Sequence, residues 1–332
     1  MTGLGKRIRG ILHPEAFHGD GAKGPFFEGW YVKLVSADQR ERWAFIPGIF
    51  IGSDGNAEAF VQVLNGATGE SAYLEFDPNT FHASAERFNV TVGPNTFNDT
   101  GVHLELDTAH ITGDVRFATP MDPWPVTARH PGIMDWYAWV PFMECYHGIV
   151  SFGHRLDGSI TVDGRTIDFT GGRGYLEKDW GQAFPAGYVW MHSNHFADAP
   201  DTSLIASVAL IPWVRSEFRG FIVGLKHNGR LFRWATYNGA KETDLSITDS
   251  HVQWSMTGPD GTLTLAADRV RGGLLKAPVR TEMHKRVEET LDAVIDVHLQ
   301  DTNGRTVLHT KATCGGMEVV GDLQRLLAVN TR

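Results

Sequence analysis

The chain has 332 residues, 42% of them hydrophobic and 21% charged, with a formal net charge of -9. That length and balance suit two ordinary domains or one large β domain, and the interspersed acidic and basic residues argue against a nucleic-acid partner held through phosphate contacts. No window approaches the roughly 18 apolar residues of a membrane-spanning helix, and no apolar run follows Lys6, Arg7 and Arg9, so the expectation is a cytoplasmic protein with two thiols, Cys145 and Cys314.

Residues 1 to 25 carry His13-Pro14, His18-Gly19-Asp20-Gly21 and Gly24-Pro25 without a periodic pattern, which predicts an entry loop. Phe26–Val35 is aromatic and β-branched and reads as a strand whose side chains alternate between faces, with Glu28, Trp30, Val32 and Leu34 on one of them. Asp54-Gly55, Asp157-Gly158, Asp163-Gly164, Asn228-Gly229, Asp260-Gly261 and Asn303-Gly304 then each predict a two-residue hairpin turn between alternating strands. Helical periodicity is confined to a short terminal segment, Leu323–Val329.

This pattern predicts an all-β protein of two antiparallel barrels, residues 1–170 and 171–332, with few short helices. Gly29-Trp30-Tyr31-Val32 is echoed by Gly187-Tyr188-Val189-Trp190, and the glycines of Asp168–Arg173 loosen the joint between them. Pro120, Pro123, Pro125, Pro131 and Pro141 keep the intervening segment out of any sheet centre, and with Trp124, Trp136, Tyr137 and Trp139 it reads as an aromatic loop.

The chemistry is concentrated in Gly174–Gly181 and the strand that follows. Glu177, Lys178 and Asp179 sit beside Tyr175, Leu176 and Trp180. Such a run is either a solvated hairpin or a partly desolvated acid site in which burial raises a carboxyl pKa and the ammonium lowers it. Alternation from Tyr188 puts Trp190, His192 and Asn194 on one face, the profile of a pocket wall or of a core strand. His192 and His195 point to opposite faces and no zinc or nucleotide motif is present, so neither metal nor cofactor is expected.

His18-x-Asp20-Gly21, Phe26-Phe27-Glu28-Gly29-Trp30-Tyr31, Glu177-Lys178-Asp179-Trp180-Gly181, Phe184-Pro185, Trp190, Asn194 and the terminal Gly316-Met317-Glu318-Val319 together resemble the tocopherol cyclase family. The resemblance implies two lipocalin-like barrels, a fold shared with carotenoid hydratases and Diels–Alderases. It also implies cofactor-free chromanol ring closure of a prenylated hydroquinone, a small hydrophobic substrate. An acid would protonate the alkene, and Trp30, Trp180 and Trp190 would stabilise the cation through their ring faces.

Plant members commonly carry Asn where this chain has Asp179. The proton donor is thus open among Asp179, Glu28, Glu177 and Asp20, in which Asp179 ranks first and Glu28 second. Tyr31 would line the substrate site, and Lys178, His192 and Asn194 would orient the phenol. Glu144 and His147 are candidates for the same cavity or for the core. A lipid carrier, a hydratase or a pericyclase would use the same barrels, and the aromatic loop raises peripheral membrane contact.

Overall fold

Short alternating segments closed by tight turns dominate the computed structural model, which describes residues 3–331. After a helix α1 (Gly3–Leu12), the first strands are β1 (Phe26–Val35), β2 (Arg42–Ile51), β3 (Ala57–Asn65), β4 (Ser71–Phe76), β5 (Phe81–Ala83) and β6 (Asn89–Val92). There follow β7 (Asn95–Asn98), β8 (Gly101–Leu106), β9 (Ile111–Phe117), β10 (Cys145–Val162), β11 (Arg165–Asp168) and β12 (Arg173–Gly181). These form a 12-stranded sheet in the order β4-β3-β2-β1-β12-β10-β9-β8-β7-β6-β5, with β11 on β10.

The sheet curls on itself. Val61 of β3 and Val90 of β6 stand far apart in strand order yet share one core with Trp30, Val32, Leu34, Phe45 and Leu176. The inner face of β1 and β12 therefore looks into a packed barrel interior.

The second sheet is 11-stranded and comprises β13 (Gly187–Ser193), β14 (His195–Phe196), β15 (Ser203–Trp213), β16 (Ser216–His227), β17 (Arg230–Ala235), β18 (Lys241–Ile247), β19 (His251–Gly258), β20 (Gly261–Asp268), β21 (Gly273–Pro278), β22 (Met283–Gln300) and β23 (Thr306–Gly321). Its order runs β17-β16-β15-β13-β23-β22-β20-β19-β18, and it too closes around one core, where Trp234 of β17 meets Trp254 of β19 and donates its indole N–H to the Gly261 carbonyl at 2.9 Å. Helix α2 (Leu323–Ala328) ends the fold where a short helix was predicted.

The chain thus has the all-β, two-barrel architecture expected from its turns. The compact units, however, are residues 1–184 with 275–286 and residues 185–274 with 287–332. Strand β12, assigned from the glycines to the second half, hydrogen-bonds between β1 and β10 and belongs to the first unit. The hairpin tip around Leu275–Arg286 also joins that unit, where Gln62 exchanges hydrogen bonds with the Lys276 backbone at 2.9 and 2.8 Å.

Two local expectations change. Residues 3–12 form α1 rather than loop, its Ile8, Ile11 and Leu12 being too few to register as a helical period. Asp157-Gly158 is not a turn but lies inside β10, where Gly158 takes φ +124° and a Cβ would come within 2.3 Å of the Asp114 carbonyl. We expect Gly158→Ala to destabilise the protein by about 1–3 kcal/mol, since the strand must either separate from β9 or adopt a strained backbone; urea unfolding checks it.

Candidate active site

Side chains alternate along a strand, so β12 delivers Glu177-Lys178-Asp179-Trp180 to two opposite faces. On one side β1 sets Glu28 opposite Trp180, Trp30 opposite Lys178 and Tyr31 opposite Glu177. On the other β10 sets Tyr146 opposite Trp180, His147 opposite Asp179 and Ile149 opposite Glu177. Glu28, Trp30, Lys178 and Trp180 therefore face the barrel interior, whereas Tyr31, His147, Glu177 and Asp179 share the outer face of the same strands.

The inner group ties down the N-terminal segment. Glu28 and Lys178 are both 0% exposed and form an ion pair. The Glu28 carboxylate accepts the backbone N–H groups of His18, at 3.0 Å to each oxygen, and of Gly19 at 3.1 Å. Lys178 donates to the Ala16 carbonyl, lies 2.7 Å from His18 Nδ1, and sits over the rings of Trp30 and Trp180 at 4.8 and 4.7 Å. His18 stacks on Trp180 with ring centroids 4.2 Å apart, and Trp30 donates its indole N–H to the Glu15 carbonyl.

Burial raises the Glu28 pKa, but Lys178 and His18 outweigh it and hold the carboxyl below its ordinary value; burial pushes Lys178 down to about 8 against the pull of Glu28. Every acceptor direction of Glu28 is taken by a donor. These four residues, two of them expected to bind substrate cations through their ring faces, instead spend those faces on Lys178 and His18.

The outer group has a different character. His147 Nδ1 is 2.8 Å from Asp179 Oδ1, and its Nε2 is 3.6 Å from Glu177 Oε2. Tyr175, fully buried, donates its hydroxyl to Glu177 Oε2. Burial opposes a charge on His147, but Asp179 and then Glu177 prevail and raise its pKa to about 9. Burial, then Glu177, drives the Tyr175 phenol well above its ordinary value, and burial with Asp179 does the same to the neighbouring Cys145 thiol, so both stay protonated.

The cluster is thus an imidazolium lodged between two carboxylates, one of which is backed by a phenol. Donor atoms of His147, Glu177 and Asp179 lie within 4.8 Å of one another, a set that sequence spacing did not offer and that has the composition of a metal site. The ring nitrogens nevertheless face different carboxylates, which is the geometry of a bridging cation rather than of ligands converging on a point.

The remaining expected residues have the following surroundings. Glu144 is bound by Arg280 at 3.2 Å, and Asp20 is exposed. Trp190 and His192 belong to the second unit, on one face of β13 with rings 6.3 Å apart, and Asn194 sits in the break before β14. No disulfide joins Cys145 and Cys314. Tyr175 and His18 were not singled out from sequence as functional groups, although Tyr175 flanks the charged run and His18 opens the His18-x-Asp20-Gly21 motif.

The family described as "Tocopherol cyclase-like" matches residues 112–321. The chain is similar to the probable chloroplastic tocopherol cyclase of Oryza sativa subsp. japonica, 24% identical across 82% of this chain and 69% of that one. It is likewise similar to the chloroplastic tocopherol cyclase of Zea mays, 23% identical across 79% and 66%. Among solved structures, a putative AttH from Nitrosomonas europaea superposes with a TM-score of 0.54 at 14% identity, covering 93% of this chain and 95% of that one. Kievitone hydratase from Nectria haematococca does so with a TM-score of 0.51 at 13% identity, covering 90% and 89%. At these identities the structural matches speak for the fold.

Proposed function

The chain belongs to the tocopherol cyclase-like family, and on that premise we propose that it closes the chromanol ring of a prenylated hydroquinone or a similar terpenoid phenol by proton transfer from the His147–Asp179 pair. The observation that carries this reading is the 2.8 Å contact between His147 Nδ1 and Asp179 inside a cluster that keeps the imidazole protonated.

Ring closure makes one C–H and one C–O bond and breaks one alkene π bond and one O–H bond. The product is an isomer of the substrate, so no electrons are exchanged and no redox cofactor is called for. In the proposed sequence the His147–Asp179 pair gives a proton to the less substituted alkene carbon, and the phenolic oxygen attacks the tertiary cation. The Glu177 carboxylate, oriented by the Tyr175 hydroxyl, takes the phenolic proton. The cluster ends the turnover with as many protons as it had at the start.

Tyr31 and Tyr175 share the outer face and are buried, so they are the rings placed to meet developing positive charge; such contacts supply roughly 2 kcal/mol when desolvated.

Incubation with a prenylated hydroquinone is expected to give a product of unchanged mass with one fewer free phenol, and the yield is expected to survive prior treatment with a chelator. A product heavier by one water would assign hydration instead. Retention of the ligand with no product over hours would make the protein a carrier, and loss of activity on chelation with recovery on adding a divalent ion would turn the trio into a metal site.

A further inference from the structure

We propose that the segment around Trp136–Phe142 and helix α1 form a docking surface for an anionic lipid bilayer. The aromatic loop buries Trp124, Ile133, Met134 and Tyr137 but leaves Trp136, Trp139 and Phe142 at 44%, 38% and 51% exposure. Three large apolar side chains exposed within seven residues are more than the scattered single ones that ordinary surfaces carry. Trp136 is stacked on buried Tyr137 at 4.1 Å, so the loop presents its rings from a packed base.

Helix α1 is fastened to this loop by a hydrogen bond of 2.6 Å from Arg7 Nη2 to the Trp139 carbonyl, and it adds Ile8, 39% exposed. Arg7 and Arg129 are both exposed, the first on α1 against the loop and the second seven residues before Trp136 in the same segment. Arg9 lies 3.5 Å from Glu86, whereas the loop's Asp135 is buried and bound by His130. In a chain of net charge -9, Arg7 and Arg129 are two exposed cations on the loop and the helix it holds.

Tryptophan, with an apolar body and a polar edge, suits the boundary between headgroups and acyl chains, and arginine beside it suits lipid phosphate. Charge complementarity therefore selects an anionic bilayer. The inference concerns the surface alone and stands or falls independently of the catalytic proposal.

Co-sedimentation of the full chain with vesicles, without substrate, tests it. The protein is expected to pellet with vesicles containing phosphatidylglycerol and much less with phosphatidylcholine alone. Arg7→Glu with Arg129→Glu should weaken anionic-vesicle binding by at least about fivefold. Trp136→Ser with Trp139→Ser and Phe142→Ser should abolish pelleting with circular dichroism unchanged. Absence of pelleting with either vesicle, or full pelleting of both variants, overturns the proposal. So does self-association of the wild-type chain that disappears in the aromatic variant, because the surface would then be a contact between copies.

Discussion

Turnover of a prenylated hydroquinone is expected to fall by about 100- to 10,000-fold when Asp179 is replaced by Asn, the range associated with removing a positioned general acid. Asn keeps the volume and can still accept the His147 Nδ1–H, so circular dichroism and the unfolding midpoint should change little. His147→Gln should cost as much, since it removes the proton held between Asp179 and Glu177. Retained turnover in Asp179→Asn with loss in His147→Gln would assign the donor to the imidazolium alone. Full activity in both proteins would sink the site.

The pH dependence has a definite sign. His147 is raised from 6.5 to about 9, so its proton is present at neutral pH and wild-type turnover should decline as pH rises through about 9. The same linkage contributes stability in full below pH 6.5 and loses it as pH passes 9, on the order of 3 kcal/mol for a buried group. His147→Gln should flatten that part of the stability curve.

The second large effect is on folding. Glu28→Gln is expected to destabilise the protein by about 3–5 kcal/mol, because it leaves the Lys178 ammonium buried without its counter-charge. The backbone N–H groups of His18 and Gly19 lose an ionic acceptor at the same time. Denaturant unfolding reads this directly. Among molecules still folded, turnover should be near wild type, and a per-molecule rate loss as deep as that of Asp179→Asn would move Glu28 from a structural clasp to the chemistry.

How much of this was legible in the sequence follows from the range of each signal. Turn chemistry is local: Asp54-Gly55, Asp163-Gly164, Asn228-Gly229 and Asn303-Gly304 each lie between paired strands as expected, and Asp260 sits in a turn whose Gly261 already opens β20. Asp157-Gly158 has the same local chemistry and failed because β9 approaches too closely there for a Cβ, a tertiary demand for glycine that mimics a turn. The glycines of Asp168–Arg173 misplaced the domain joint for a related reason, since loosened backbone marks a bend and not which sheet the next strand enters.

At the site, alternation could already separate Glu177 and Asp179 from Lys178 and Trp180. It could not bring His147 to them, because that depends on the register of β10 against β12, which is set by the whole barrel. Nor could it tell that the tryptophan faces of the most recognisable motif were already occupied by a lysine and a histidine of the same chain.

Strand β12 carries structural anchoring and proposed catalysis on alternate residues. A single-residue insertion or deletion between Arg173 and Lys178 would exchange the two sets, sending the carboxylates into the barrel core and the tryptophan out of it. Changes of two residues would preserve both. Length variation in this strand among natural or designed relatives should therefore come in even steps, and a library that randomises its length will be viable at one parity only.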